Sequence, residues 1–271
     1  MQNMSLSQVS NHFWQQLAKA DCPVLLLDYD GTLAPFRVNR DQAVPYPGLR
    51  ELLGEIHTRT VTRLVIISGR AIDDLLPLLG LYPAPEIWGC HGWERMLSDG
   101  RRTTVVLPDD AQAGLQEAIS MLGQKSLDRR YEVKPASVAV HWRGLSVEEQ
   151  DRLRRETENT WGHLADRFGL QLHAFDGGLE LRCPGRNKGS AIREILAEDV
   201  SETSLAFLGD DLTDEDGFRE IKGRGLGLLV RQEDRPTEAD VHLQPPEELF
   251  AFLEKWRATV RSTSALEREK L

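Results

Sequence analysis

With 271 residues, 40% of them hydrophobic and 28% charged, the chain has the make-up of a folded globular protein rather than of a disordered segment. Its 33 basic residues are outweighed by 43 acidic ones, a formal net charge of −10, which argues against a nucleic-acid partner, because a phosphate backbone needs a cationic face. The strongest apolar run, Val24–Leu27, is far too short to span a bilayer, no basic-then-apolar leader is visible, and the widely spaced Cys22, Cys90 and Cys183 form neither a disulfide framework nor a zinc motif; a reducing, cytoplasmic setting without membrane partners is the expectation.

In chain order, Val24-Leu25-Leu26-Leu27 ends at Asp28 and reads as a strand buried on both faces. A helix is expected over 47–57, a second buried strand at Leu64-Val65-Ile66-Ile67, a helix over 71–79 and a weaker strand over 86–89. Strands alternating with helices at this spacing predict a parallel, doubly wound sheet. The pattern then changes to a hairpin over 93–107 turning at Ser98-Asp99-Gly100. After it come a helix over 109–123, strands over 131–134 and 137–143 turning at Pro135-Ala136, a long polar helix over 147–168, and strands over 171–175 and 179–182 turning at Asp176-Gly177-Gly178. This helix–strand–strand unit, occurring twice, predicts an inserted α+β domain over 109–183, within a Rossmann-like α/β core built from 1–108 and 184–271. The first pattern resumes with a helix over 188–197, a strand over 205–208 running into Gly209-Asp210-Asp211, a helix over 214–221, a strand over 225–230 and a closing helix over 246–256. Residues 262–271 read as a polar, frayed tail.

Four polar tips sit at the ends of these elements. Asp28-Tyr29-Asp30-Gly31-Thr32 follows the first buried strand, and in a doubly wound sheet ligands bind beyond the carboxyl ends of the strands. Carboxylates two residues apart repel unless a cation lies between them or one keeps its proton; both states serve phosphoryl transfer, and an ordinary Asx turn would also give this pattern. Gly209-Asp210-Asp211-Leu212-Thr213-Asp214-Glu215-Asp216 packs five acids into seven residues, oxygen donors of the kind that hold Mg²⁺. Thr213 with the following acids would make a good helix start, but capping does not account for Asp210 and Asp211. Ser68-Gly69-Arg70 follows the second strand and opens a helix, with a hydroxyl and backbone N–H groups suited to an anion. Lys188, behind Asn187 at a helix start, offers a point charge to a phosphate.

Taken together, these motifs resemble those of the haloacid-dehalogenase-type phosphatases. The resemblance implies Asp28 as a nucleophile forming an aspartyl-phosphate and Asp30 as general acid and base. It implies Thr32, Ser68, Gly69 and Lys188 as phosphate ligands, and Asp210 as a Mg²⁺ ligand with Asp28 and the Asp30 carbonyl. Asp211 and Asp214 would support the metal's waters or Lys188. A carboxyl at the second site favours hydrolysis, since it can protonate the leaving oxygen and then activate water.

With Gly89-Cys90-His91-Gly92-Trp93-Glu94, Glu132-Val133-Lys134 and Glu180-Leu181-Arg182 added, the sequence is similar to the trehalose-6-phosphate phosphatase family over about residues 24–246. It departs from the family at Cys183, which stands between Arg182 and Pro184. The resemblance implies that the insertion is a cap, that Arg70, His91, Glu132, Lys134 and Glu180 bind substrate, that the substrate is a small sugar phosphate, and that a trehalose-phosphate synthase is a functional partner.

The residues of the insertion allow this. Glu132 and Lys134 share one face of a strand, and Glu180 and Arg182 share another opposite Leu179 and Leu181. Such a face suits a polyhydroxyl ligand, although a solvated face with cross-strand ion pairs reads the same way. His91 and His141-Trp142-Arg143 are weaker signals, with Trp142 expected to pack. The competing readings are a related phosphatase acting on sucrose, glucosylglycerol or mannosylglycerate phosphate, and a non-catalytic phospho-acceptor module. Asp30 and the cap-sized insertion speak against the latter.

Overall fold

The computed structural model describes residues 4–37, 39–123, 130–175, 177–198 and 204–263. The chain divides into two compact units: Met1–Thr103 with Asn187–Leu271, and Thr104–Arg186. The smaller unit thus runs a few residues beyond the expected 109–183 at both ends.

The larger unit holds α1 (Asn11–Lys19), β1 (Val24–Leu27), α2 (Leu49–Arg59), β2 (Arg63–Ile67), α3 (Ile72–Leu79), β3 (Glu86–Gly89) and β4 (Glu94–Met96), next to which lies β5 (Arg102–Thr104). After the smaller unit it continues with α6 (Lys188–Ala197), β10 (Leu205–Gly209), α7 (Glu215–Ile221), β11 (Leu226–Val230), β12 (Val241–Leu243) and α8 (Glu247–Thr259). One sheet runs in the order β12-β11-β10-β1-β2-β3-β4-β5, parallel from β12 to β3 and antiparallel between β3 and β4.

The apolar runs form the middle of this sheet because both of their faces are covered. Leu25 and Leu27 join one core with Leu53 and Ile56 of α2 and Phe252 and Trp256 of α8. Val24 and Leu26 join the other with Ile192 and Ile195 of α6 and Phe218 and Ile221 of α7. From β1 the chain winds outward through β2 and β3; from β10 it winds the other way through β11 and β12. The β1–β10 pair is therefore the switch point where connections diverge, and the crevice beyond its carboxyl ends is where such sheets bind ligands.

Two expectations need correction. Strand β12 was not foreseen, because three residues in a polar stretch carry no pattern; it exists by pairing with β11. The helix expected from 214 starts at Glu215, behind a 3₁₀ turn over Leu212–Asp214 whose cap is Asp211 rather than Thr213. Asp176, where a turn is expected, and residues 264–271, most of the expected tail, lie outside the described residues.

The smaller unit holds α4 (Asp109–Gly123), β6 (Tyr131–Lys134), β7 (Ser137–His141), α5 (Val147–Phe168), β8 (Gln171–Phe175) and β9 (Gly178–Arg182), with an antiparallel sheet in the order β6-β7-β9-β8. The polar α5 is stopped at both ends, by a Ser146–Glu149 capping box and by Gly169 in the left-handed region, and buries only Thr157, Trp161 and Leu164. Register sorts the sheet. Tyr131, Val140, Leu179 and Ala174 form one cross-strand row and Val133, Val138, Leu181 and Leu172 another; the alternate rows are Glu132–Ala139–Glu180–His173 and Lys134–Ser137–Arg182–Gln171. One face is apolar and the other charged. Trp142 is buried, as expected of a packing residue. No helix among the described residues is long and apolar enough to cross a membrane.

Leu26, fully buried in the central strand, tests the two-sided core: Leu26→Ala should lower the unfolding free energy of the larger unit by about 2–5 kcal/mol, read from the shift in denaturation midpoint.

Candidate active site

Asp28 leaves β1 with its N–H on the carbonyl of Leu208, at 2.9 Å, so the first motif is tied to the neighbouring strand β10. The chain then turns tightly. Gly31 N–H donates to Ala34 O at 2.7 Å, the N–H groups of Leu33 and Ala34 return to Tyr29 O, and the Tyr29 hydroxyl donates to Ala43 O at 2.8 Å. Gly31 is required twice over: its φ is +87°, and a Cβ there would overlap the Asp210 carboxylate. The turn brings Thr32 back so that its hydroxyl donates to Asp28 Oδ2 at 3.0 Å and more weakly to Asp210 Oδ1 at 3.4 Å.

Lys188 is the first residue of α6, held there by a capping box between Asn187 and Ser190. Its ammonium lies 2.5 Å from Asp28 Oδ1 and 2.6 Å from Asp214 Oδ1. The other oxygen of Asp214 accepts the N–H groups of Asp210 and Asp211 at 3.1 and 3.0 Å. Asp214 is thus engaged at both oxygens and orients the loop, so although it stands at the N-cap position of α7 its side chain caps no N–H of that helix. Asp211 accepts the N–H of Leu212 at 2.7 Å.

Asp28, Asp210, Asp214 and Lys188 are all buried, and the three acids each offer an oxygen within 4.8 Å of the others. Three carboxylates face one ammonium. Burial pushes the Asp28 carboxyl up to about 7 against the pull of Lys188, with Asp214 and Asp30 adding repulsion. Burial and the neighbouring Asp28 likewise hold Asp210 well above the usual carboxylate range. Burial draws Lys188 down, but Asp214 and Asp28 outweigh it, so its ammonium is held more firmly than usual. A dry set of hard oxygen donors with surplus negative charge fits a divalent cation of the Mg²⁺ type. Asp28, Asp210 and Asp214 each bring an oxygen to that set.

Asp30 lies apart from that cluster. Arg70 grips it with two bonds, Nε to Oδ2 and Nη2 to Oδ1, both 2.6 Å, and Nη2 also donates to Arg40 O at 2.9 Å. Arg70, expected to touch substrate, therefore holds the expected acid–base group in this structure. Ser68 is fully buried; its N–H donates to Trp88 O at 2.9 Å, while its hydroxyl accepts the N–H of Arg70 at 3.1 Å. Those two N–H groups, read from sequence as anion donors, are thus engaged, one with strand β3 and one within the loop. Cys90 and His91 follow with φ of 50° and 57°, a conformation unfavourable for side-chain-bearing residues. Their N–H groups hold it by bonding Arg70 O and Ser68 O at 2.8 and 2.9 Å. The His91 ring lies against Gly69, where a Cβ would collide with it.

The remaining predicted residues belong to the smaller unit. Lys134 Nζ lies 3.3 Å from Glu180 Oε1 and 3.5 Å from Glu132 Oε1, so the three form one cluster on the charged face. Two residues that sequence reasoning did not place in it complete it: the Ser137 hydroxyl donates to Glu180 Oε1 at 2.7 Å, and His141 Nε2 is 3.1 Å from Glu132 Oε2. The strand pattern could have found Ser137, which is register partner to Lys134.

A sequence model of the trehalose-phosphatase family matches residues 26–247. The chain belongs to the trehalose-phosphatase family. It is an enzyme of the phosphoric monoester hydrolase class. It is 30% identical over 272 residues to a rice protein (Oryza sativa subsp. japonica) called probable trehalose-phosphate phosphatase 9, covering 88% of this chain and 70% of that protein. It is 29% identical over 231 residues to the trehalose-6-phosphate phosphatase of Escherichia coli, covering 84% of each. The C-terminal domain of the Candida albicans trehalose-6-phosphate phosphatase shares the fold, with a TM-score of 0.74 at 20% identity over 95% of this chain and 98% of that one. So does a haloacid dehalogenase-like hydrolase from Bacteroides thetaiotaomicron, with a TM-score of 0.63 at 18% identity over 86% of this chain and 98% of that one. The family assignment and the shared fold agree with the reading of the motifs as those of a haloacid-dehalogenase-type phosphatase.

The charge surplus has a measurable consequence in metal-free protein. A carboxyl with a folded-state pKa above its unfolded value destabilises the fold as pH rises between the two, here from about 4 to about 7 for Asp28. Asp210→Asn removes one repelling charge and should raise Tm above pH 7. A tenfold relief in proton affinity corresponds to about 1.4 kcal/mol, or roughly 3–6 °C. The gain should shrink as the pH falls toward 5, where the wild-type acids take up protons. Calorimetric scans across that range with chelator present check it; an equal Tm for both proteins at pH 8 would count against a repulsive cluster.

Proposed function

We propose that this enzyme hydrolyses trehalose 6-phosphate to trehalose and inorganic phosphate, with Mg²⁺ as cofactor and Asp28 as the covalent nucleophile. The observation that carries the proposal is the Asp28–Lys188–Asp214–Asp210 cluster at the sheet's switch point, in a chain of the trehalose-phosphatase family.

The chemistry follows from the side chains. An Asp28 oxygen attacks phosphorus, and the bond from phosphorus to the sugar oxygen breaks. Asp30 gives its proton to that oxygen, releasing trehalose. Asp30 then takes a proton from water as the water oxygen attacks the aspartyl-phosphate, which frees phosphate and restores the Asp28 carboxylate. Lys188, the Thr32 and Ser68 hydroxyls and the Gly69 backbone bind the phosphate oxygens, and the firmly protonated Lys188 stays cationic throughout. Asp28 and Asp210, with the Asp30 carbonyl, would hold the cation while Asp214 and Asp211 fix their loop. Bound there, Mg²⁺ supplies charge that offsets the repulsion between these acids and a dianionic substrate. In this structure Arg70 holds the Asp30 carboxyl through two hydrogen bonds, and Asp30 takes up the proton it later gives to the leaving oxygen once that pairing is released. Glu132, Lys134 and Glu180 of the smaller unit bind the sugar hydroxyls, and His91 is a substrate-binding residue of the larger unit. The setting is cytoplasmic, and a synthase making the sugar phosphate is the functional partner.

Phosphate release from trehalose 6-phosphate, sucrose 6-phosphate, glucosylglycerol phosphate and mannosylglycerate phosphate, each with Mg²⁺ or EDTA, tests the reading. Trehalose 6-phosphate should be hydrolysed with the highest kcat/KM, and only with Mg²⁺. Asp28→Asn should lose at least about 10³-fold in kcat while keeping its fold. Full turnover in excess EDTA, or by Asp28→Asn, would sink the mechanism.

Glu132→Ala, Lys134→Ala and Glu180→Ala separate sugar binding from phosphate chemistry. A lost charged hydrogen bond is worth roughly 1.5–3 kcal/mol, or about 10- to 150-fold in kcat/KM for the disaccharide phosphate. A small aryl phosphate, lacking the disaccharide, should be hydrolysed nearly as well as by wild type. Equal losses on both substrates would mean that the cluster supports the fold rather than the sugar.

A further inference from the structure

A half-buried cation near the acidic loop has no part in the chemistry above. Arg235 lies in the connection from β11 to β12, its side chain 14% exposed. Its Nη1 pairs with Glu215 Oε1 and donates to Pro236 O at 2.9 Å; its Nη2 donates to the carbonyls of Asp211 at 2.9 Å and Asp210 at 3.4 Å. Glu215, the first residue of α7, is buried and is held in turn. The Thr237 hydroxyl donates to its Oε1 at 2.7 Å and the Glu238 N–H to its Oε2 at 2.8 Å. Residues 235–238 are thereby fastened to the start of α7, with the guanidinium turned onto the backbone of the acidic loop.

The consequence falls on one residue. The peptide unit before Asp210 is tied through its N–H to Asp214 Oδ2. The peptide unit after Asp210 is tied at both ends, through the Asp211 N–H to Asp214 Oδ2 and through the Asp210 carbonyl to Arg235. The next carbonyl, that of Asp211, takes both Arg235 Nη2 and the Asp214 N–H, at 2.9 and 3.0 Å. Planar peptides held on both sides of a residue fix its φ and ψ, and with them the direction in which its Cβ leaves the backbone.

The charge of Arg235 is already matched by Glu215, so its effect on the loop is directional rather than electrostatic. The task suits a guanidinium, a rigid fork able to reach a carboxylate and two carbonyls at once; an ammonium cannot copy that geometry. Arg235 Nε is buried without a hydrogen-bond partner among the described residues. Its orientation is therefore set by Glu215 and the two carbonyls rather than by satisfying every donor.

We propose that Arg235 is a positioning residue: it clamps the Asp210–Asp211 peptides so that the Asp210 carboxylate is held ready as a divalent-cation ligand. This rests on the reading of Asp210 as a cation ligand given above. Groups that orient a metal ligand from behind typically change metal affinity by about 10- to 100-fold when removed.

The test is direct Mg²⁺ binding to metal-free protein by titration calorimetry, without substrate, together with Tm and activity. Wild type should bind one Mg²⁺ and Asp210→Ala should bind none measurably. Arg235→Ala should bind about 10- to 100-fold more weakly, and raised Mg²⁺ should restore most of its kcat. Arg235→Lys keeps the charge opposite Glu215 and carries the test should Arg235→Ala fail to fold; it too should bind more weakly than wild type. A folded Arg235 variant with the wild-type dissociation constant, even one with a lowered Tm, overturns the positioning role while leaving Asp210 as a ligand. Absence of Mg²⁺ binding by wild type overturns both.

Discussion

Three carboxylates packed together out of water, two of them paired with one buried ammonium, form the constraint on which the rest of the site depends. Asp28, Asp210 and Asp214 come from two parallel strands and the turn after one of them, and Lys188 from the first turn of a helix. Left to themselves these groups would separate or take up protons. The sheet prevents separation, because β1 and β10 are registered from Val24 with Leu205 to Leu27 with Leu208 and their next residues lead directly into the acids. The unrelieved charge is a cost in stability that the two apolar cores of the larger unit have to carry.

The acids are held to different degrees. Asp214, fully buried and bonded at both oxygens, serves as an anchor. Asp30, whose side chain is 31% exposed, is gripped by Arg70. The turn after β3 is anchored too, since Cys90 and His91, both at positive φ, are clipped by their N–H groups to the carbonyls of Arg70 and Ser68.

The smaller unit solves a different problem, the gathering of long charged side chains on a narrow sheet face. Ala139 stands in register between Glu132 and Glu180, and its small side chain leaves the space in which Lys134 reaches both acids. The opposite rows are almost wholly apolar and face the packing side, so burial on one face fixes which residues appear on the other.

Much of this was legible in the amino-acid order because the forces concerned are local or periodic. Continuous apolar runs at β1, β2 and β10 mark strands covered on both faces, polar tips immediately after them mark the ligand end of the sheet, and alternation sorted Glu132 and Lys134 from Val133. The smaller unit's helices were readable down to their ends, since Ser146, Glu149 and Gly169 act within a turn of their own positions. Tertiary structure alone decided the rest. Strand β12 exists because a partner strand accepts its backbone. Asp214, apparently a helix-start acid, became an anchor because Lys188, far away in sequence, arrives beside it. Arg70 turned toward Asp30, and Arg235, one arginine in a polar loop, met the Asp210 and Asp211 carbonyls only through the parallel crossover. A hydrogen bond or ion pair between distant residues leaves no periodic trace along the chain; it is settled by which elements the fold brings within about 3 Å.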